Sequence, residues 1–139
     1  MENSRVVTAL NLALEHEMSA MVRYLHHSFI VTGPNRGALV KFFRDRVNDA
    51  AIHAVSVGEK ITALGGHPSV KITEIYEPGD QSISEMLQED LDEEQAHIGL
   101  YEQLLSDVKD HIPLKAFLEK LIVEEQKHID ELEMYLREH

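Results

Sequence analysis

The stretch Glu124-Glu125-Gln126-Lys127-His128 decides how the rest of this sequence is interpreted. Placed on a helix, Glu125 and His128 fall in the middle of an apolar stripe. Steps of three and four residues give Leu114, Leu118, Leu121, Glu125, His128, Leu132 and Tyr135. Burying an ionised carboxylate costs many kcal/mol unless it is paired or binds a metal. The sequence therefore predicts that other polar side chains face Glu125 and His128.

Three further segments have the same character, because a Glu or a His interrupts an apolar stripe of helical spacing in each. The interrupting residues are Glu17, His53 and Glu94. Glycine and proline turns separate the segments, and Ser82-Ile83-Ser84-Glu85 has the pattern of a capping box. The predicted helices run from Arg5 to about Ile30, from about Gly37 to Leu64, from Ser82 to about Lys109, and from the turn at residues 110–113 to the C-terminus.

The connections between these helices predict the topology. Short turns join the first helix to the second and the third to the fourth, so each pair is antiparallel. Residues 65–81 form a non-helical connection that spans roughly 55 Å when extended, enough to run along a whole bundle. We expect an all-α, antiparallel four-helix bundle with one long crossover between the second and third helices, in a single domain over residues 1–139.

The four interrupting positions are predicted to meet at one level of this bundle. Counted from the connecting turns, each lies just past the middle of its helix. A lone buried His is more often a core residue with satisfied hydrogen bonds, and a lone buried Glu often reaches an Arg. Four helices that place a Glu or His at the same level indicate a metal-type site, working or vestigial.

Composition limits the class of partner. The 139 residues carry 25 acidic and 13 basic side chains, for a net charge of −12. We therefore expect metal cations and no nucleic acid as partners, because a basic patch is the usual footprint of nucleic-acid binding. The chain has no Cys, no apolar run long enough for a membrane span and no signal-like N-terminus, so we expect no membrane association and a cytoplasmic location.

Three motifs resemble those of the ferritin-like diiron-carboxylate proteins, with bacterioferritin as the nearest type and rubrerythrin as a cousin. They are Leu10-Asn11-x-x-Leu14-x-x-Glu17-x-x-Ala20-x-x-x-Tyr24, Glu85-Met86-Leu87-x-x-Asp90-Leu91-x-x-Glu94, and Glu124-Glu125-x-x-His128-Ile129-Asp130-x-Leu132-Glu133. That superfamily carries one Glu on each of two helices and a Glu-x-x-His on each of the other two. The resemblance covers nearly the whole chain and implies a ferritin-like fold.

The resemblance also implies a set of metal ligands. The terminal carboxylates would be Glu17 and Glu94, and the bridging carboxylate would be Glu125. The two imidazole ligands would be His128 and His53. Tyr24 would be a catalytic residue near the metals. The ligand types suit one or two iron ions, and would also accept zinc or manganese.

The second helix departs from the pattern, since Ala50 stands where a bridging Glu is expected. Asp49 or His97 could supply the missing ligand, although a partly exposed position is expected for His97. Alternatively, Arg46 could neutralise the carboxylates in place of a metal, or it could lie at the bundle rim.

Other departures concern haem and assembly. Ala51 replaces the Met that binds haem in bacterioferritins, so no haem is expected, and no fifth helix follows His139, so a homodimer or another assembly smaller than a 24-subunit shell is expected. The remaining histidines are expected to be exposed or at the rim: His16, His26, His27, His67 and His111.

The function predicted from the resemblance is that of a bacterioferritin-like, non-haem protein that oxidises ferrous iron with oxygen or peroxide. One alternative is a rubrerythrin-type peroxide reductase, which would need a separate electron donor. The other is a metal-free bundle in which Arg46 and the carboxylates form a network for assembly or partner binding.

Overall fold

The computed structural model describes residues 3–137 and consists there of four long α-helices. Their bounds are α1 Asn3–Ile30, α2 Arg36–Ala63, α3 Ile83–Asp107 and α4 Ile112–Leu136. These bounds lie within about two residues of the predicted ones. The predicted extension of α4 to the C-terminus includes Glu138 and His139, which lie outside the described residues. No described helix is long and apolar enough to cross a membrane.

Local sequence explains where the helices begin and end. Ser82 caps α3 through the predicted capping box, with its hydroxyl accepting from the Glu85 backbone N–H. Pro113 occupies the first turn of α4, where a missing N–H costs nothing. Gly65 follows the end of α2 with a φ of 84°, a left-handed conformation that glycine adopts without strain.

The topology is the predicted antiparallel bundle with one long crossover. Helix α1 packs chiefly against α2, and α3 against α4. The crossover, residues 65–81, runs along α1 without helical structure. The Asn11 side chain binds its early part at His67 and Ser69, and His26 lies 2.5 Å from Glu77 near its far end.

A polar layer divides the core into two apolar clusters. One cluster includes Leu10, Ile61, Tyr101, Leu114 and Leu118. The other includes Tyr24, Phe43, Met86, Leu87 and Leu132. The predicted stripes therefore face inward, and their Glu and His residues lie between the two clusters of packed apolar side chains.

Candidate metal centre

Six ionisable side chains converge in the polar layer, and all of them are buried. Each of the four helices contributes at least one. We call this set the central cluster; its members are Glu17, His53, Glu94, His97, Glu125 and His128. Five of them are the ligands implied by the family resemblance, and the sixth, His97, is one of the two possible substitutes for the missing bridge.

Glu125 lies at the junction of two groups of possible ligand atoms. One group joins it to Glu17 and His97, and the other joins it to Glu94 and His128, with the ligand atoms of each group within 4.8 Å of one another. His97 Nε2 donates to Glu17 Oε1 at 2.5 Å. His128 Nδ1 lies 3.6 Å from Glu125 Oε2 and 3.8 Å from Glu94 Oε2. The arrangement places one carboxylate between two partly separate ligand sets.

His53 faces carboxylates through both ring nitrogens. Its Nδ1 lies 3.0 Å from Glu125 Oε1 and 3.5 Å from Glu17 Oε2. Its Nε2 lies 2.6 Å from Glu124 Oε2, at the partly exposed edge of the cluster. His53 therefore connects the buried carboxylates to the surface.

The three buried carboxylates are not fully satisfied by hydrogen bonds. The Oε2 atoms of Glu17, Glu94 and Glu125 are buried and have no hydrogen-bond partner. A buried acceptor left unpaired costs about 1–3 kcal/mol, and more when it is charged. Carboxylate oxygens and imidazole nitrogens are suitable ligands for iron, manganese or zinc. The donor set therefore fits bound cations, for which these oxygens would be ligands.

Protons balance the charge of this cluster when no metal is bound. Burial alone would lower the pKa of His53, but its hydrogen bond to Glu125 and its ion pair with Glu17 outweigh burial and raise the pKa to about 11. In the same way, Glu125 and Glu94 overcome burial to raise the pKa of His128 to about 10. Burial also opposes ionisation of Glu125, yet its interactions with Glu94, His128 and His53 lower its pKa to about 2. At neutral pH the cluster thus holds imidazolium groups against carboxylates.

Tyr24 contacts the cluster through Glu94. Its hydroxyl donates to Glu94 Oε1 at 3.1 Å. Burial, followed by the nearby Glu94 carboxylate, raises the pKa of Tyr24 well above its ordinary value, so the hydroxyl keeps its proton. The geometry gives Tyr24 a fixed orientation toward the carboxylates.

A surface cavity of about 330 Å³ opens onto the cluster between α2 and α4. His53 and His128 line it together with the acidic Asp49, Glu124 and Glu131. Asp49 Oδ2 lies 3.3 Å from His128 Nε2, and the Asp49 side chain is 38% exposed, so Asp49 belongs to the mouth of this cavity.

Arg46 also lines the mouth. Its Nη2 lies 3.4 Å from Asp49 and 3.5 Å from Glu131, and its guanidinium lies over the Phe42 ring. Among the residues that the structure describes, none of the ion pairs of Arg46 joins it to Glu17, Glu94 or Glu125. Arg46 is therefore placed at the rim, one of the two positions expected from the sequence.

A second buried polar network lies beside the cluster between α1 and α3. We call it the Arg23 network, and its members are Arg23, His27, Glu89 and Asp90. Arg23 Nε donates to Asp90 Oδ1 at 2.8 Å, and Arg23 Nη2 lies 3.6 Å from Glu94. His27 Nδ1 donates to Asp90 Oδ2 at 2.9 Å. An arginine does approach the central carboxylates, but it comes from α1.

Two expectations about histidines are wrong. His27, expected at the surface or rim, is 1% exposed because Asp90 and Glu89 face both of its ring nitrogens. His97, expected to be partly exposed, is 4% exposed because α3 turns it toward Glu17 on α1. On its own helix, each residue lies beside the apolar stripe from which burial was predicted. It lies on the part of the helix surface that faces a second neighbouring helix.

Comparisons with known proteins agree with the architecture. A model of the ferritin-like domain matches residues 7–139. A bacterioferritin of Desulfovibrio desulfuricans is 28% identical over 128 residues, which cover 91% of this chain and 71% of that protein. A crystal structure described as ferritin-like, diiron-carboxylate proteins from Bacillus anthracis has a TM-score of 0.92 at 29% identity and covers 98% of this chain and 99% of that one.

A third relative corrects one prediction. The nutrient stress-induced DNA-binding protein of a Synechococcus species is 32% identical over 114 residues, covering 76% of this chain and 65% of the relative. The expectation that nucleic acid is excluded as a partner is therefore wrong, because a relative with this sequence similarity is named for DNA binding. Net charge was a poor guide, since the total does not show how positive and negative side chains are distributed over the surface.

Proposed function

The chain belongs to the ferritin-like domain family, close to bacterioferritin, and we propose that it binds iron in the central cluster and promotes oxidation of ferrous iron. The observation that carries this proposal is the position of Glu125 between two groups of ligand atoms, within a set of buried carboxylate oxygens that lack hydrogen-bond partners. The nearest imidazole nitrogens lie 3.5–3.8 Å from these oxygens, which leaves each oxygen free to bind a cation more closely.

We assign the ligand roles as follows. Glu17 and Glu94 are terminal carboxylates, and Glu125 lies between the two ligand groups. His128 completes the group of Glu94, while His53 contacts Glu17 and Glu125 from the side of the cavity. Bound iron would supply one-electron redox chemistry, and the carboxylates would favour its ferric state because they are hard, anionic oxygen donors.

The surrounding residues prepare this site. Tyr24 donates to Glu94 Oε1 and so fixes the orientation of that carboxylate. The two apolar clusters on either side exclude water, which strengthens electrostatic interactions within the layer. At the mouth, the carboxylates of Asp49, Glu124 and Glu131 lie beside the basic Arg46 and Lys127. These carboxylates would be the first oxygen ligands that ferrous ions meet on the way to His53 and His128.

Two other functions remain as alternatives. A rubrerythrin-type peroxide reductase would use the same ligands, but it would need electrons from another protein. A metal-free bundle in which Arg46 neutralises the carboxylates has less support, since Arg46 pairs with Asp49 and Glu131 at the rim.

The remaining features stay predictions from sequence. They are a single domain over residues 1–139, a homodimer or larger homo-oligomer, a cytoplasmic location and the absence of haem. The match spans 65% of the Synechococcus relative, so activities and partners of that whole protein are not transferred to this chain.

The proposal is tested by loading the protein anaerobically with ferrous iron and then mixing it with oxygen or with peroxide. We expect ferric absorbance to appear faster than in buffer, and Glu94→Gln to slow it at least about tenfold. Glu102→Gln, an exposed carboxylate on the same helix, should leave the rate unchanged. Oxidation no faster than in buffer with either oxidant would reject the proposed activity, and a response to peroxide alone would favour the peroxide reductase.

A further inference from the structure

We propose that His97 supplies the ligand that Ala50 cannot, so that the centre is built from three carboxylates and three imidazoles. This inference rests on the proposed function, since it concerns ligation in the central cluster. It places the compensating side chain on α3, whereas the position that lacks a donor is on α2.

The position that lacks a metal-binding side chain is Ala50, and it is buried. Ala50 is 5% exposed and packs in the apolar cluster next to the polar layer. Its sequence neighbour Asp49 points the other way, toward the mouth of the cavity. There Asp49 Oδ2 lies 3.3 Å from His128 Nε2 and 3.4 Å from Arg46 Nη2. Asp49 is therefore occupied at the rim and does not fill the gap.

His97 has the position that a replacement ligand requires. It follows Glu94 by three residues, so both side chains lie on the same side of α3. Its Nε2 lies 2.5 Å from Glu17 Oε1, and it shares one group of ligand atoms with Glu17 and Glu125. A cation in that group would replace the proton between His97 and Glu17.

Two aromatic neighbours hold the His97 ring. His16 on α1 stacks on it with ring centroids 5.5 Å apart, and Tyr101, one turn further along α3, meets it edge-on at 4.6 Å. The second ring nitrogen, His97 Nδ1, is buried without a hydrogen-bond partner. The hydrogen bond from Nε2 to Glu17 and the packing of His16 and Tyr101 therefore fix the imidazole together.

A centre with His97 in place of a bridging carboxylate should favour different metals from a centre with four carboxylates. Exchanging a carboxylate for a neutral imidazole removes one negative charge and adds one nitrogen donor. Nitrogen donors suit cobalt, zinc and ferrous iron better than manganese, which prefers oxygen ligands. We therefore expect the wild type to prefer Co²⁺ over Mn²⁺ by a wider margin than an Ala50→Glu variant, in which a fourth carboxylate is restored.

The test is an anaerobic titration of the metal-free protein with Co²⁺, followed by visible absorbance and by elemental analysis. The wild type should bind two ions per chain. His97→Gln should retain one ion and weaken the other at least about tenfold, while Ala50→Glu combined with His97→Gln should recover the second ion. His67→Gln, which alters an exposed histidine of the crossover, is the matched control and should bind both ions.

The outcomes separate this inference from the proposed function. Two ions of unchanged affinity in His97→Gln would overturn the inference while leaving the iron site intact. Loss of the second ion in Asp49→Asn, with His97→Gln unaffected, would assign the missing ligand to Asp49 and also overturn it. Failure of the wild type to bind Co²⁺ and Fe²⁺ would overturn both proposals. Circular dichroism of each variant shows that a loss of binding is not a loss of fold.

Discussion

The central cluster and the Arg23 network lie side by side in the same bundle, and they balance buried charge in different ways. Both contain buried carboxylates and a buried His from α1 or α3. In the Arg23 network a permanent cation lies 2.8 Å from Asp90. In the central cluster the nearest arginine contact is Arg23 Nη2 at 3.6 Å from Glu94. Protonated imidazoles balance the other carboxylates.

The difference shows which buried network is suited to bind a metal. An arginine stays charged at any ordinary pH. A carboxylate paired with it can therefore bind a metal only if the ion pair breaks. Protons on imidazoles leave readily when a metal binds. Proximity alone does not separate the two, because the ligand atoms of His27, Glu89 and Asp90 also lie within 4.8 Å of one another. We therefore interpret the Arg23 network as structural and the central cluster as the metal site.

The largest effect is expected from breaking the arginine-closed network. Asp90→Asn removes the carboxylate that lies 2.8 Å from Arg23 and leaves the buried guanidinium with only the 3.6 Å contact to Glu94, which should lower the free energy of unfolding by about 3 kcal/mol. The measurement is urea unfolding of the metal-free protein. Asp92→Asn, at an exposed position on the same helix, should change stability by less than about 0.5 kcal/mol. Equal effects of the two variants would contradict the structural role of the Arg23 network.

The second prediction concerns Glu125, the shared member of the two ligand groups. Glu125→Gln should weaken iron binding at least about 100-fold, because it removes a charged ligand from both groups. The same variant should destabilise the metal-free protein less than Asp90→Asn, because the imidazoles that face Glu125 can lose their protons, whereas the Arg23 guanidinium cannot. Equilibrium dialysis and urea unfolding measure the two effects, with Glu133→Gln as the exposed control on α4. Unchanged iron affinity would contradict the assignment.

The sequence predicts the central cluster but not the Arg23 network. The four inward stripes predicted that Glu17, His53, Glu94, Glu125 and His128 meet, because a buried carboxylate in an apolar stripe is visible in helical spacing alone. The stripes do not predict the buried pair of Arg23 and Asp90, although Asp90 belongs to one of the family motifs, because each lies one position beside a stripe residue. Helices in a bundle face two neighbours, and a single stripe describes only one of those faces.

The third prediction uses the protons in the central cluster. The pKa of His53 is raised from 6.5 to about 11 and that of His128 from 6.5 to about 10. Their contribution to the stability of the metal-free protein is therefore fully present below pH 6.5 and is lost as the pH rises through about 10–11. Over the same range iron affinity should rise, because imidazoles must lose their protons to bind metal.

The checks for the third prediction are denaturation of the metal-free protein across this pH range, and calorimetric titration with ferrous iron in buffers of different ionisation enthalpy. We expect stability to fall with pH and protons to be released on binding. Binding heats that do not depend on the buffer would contradict proton displacement.

The smallest effect is expected at the mouth of the cavity. Arg46→Glu breaks pairs with the partly exposed Asp49 and Glu131, so stability should change by less than about 1 kcal/mol. At low salt, ferrous ions should bind to this variant faster than to the wild type, because a positive charge at the mouth is replaced by a negative one. The difference in rate should vanish at high salt. Stopped-flow binding measures the rate, with Lys120→Glu as an exposed control on α4. A loss of several kcal/mol would show that Arg46, like Arg23, closes a buried network.

The most direct test of the central claim is the iron content of the protein after anaerobic ferrous loading and removal of unbound metal, measured by elemental analysis. We expect two iron ions per chain in the wild type, the same number in folded Asp90→Asn protein, and almost none in Glu125→Gln. A wild-type protein that retains no iron, or a Glu125→Gln variant that retains as much as the wild type, would contradict it.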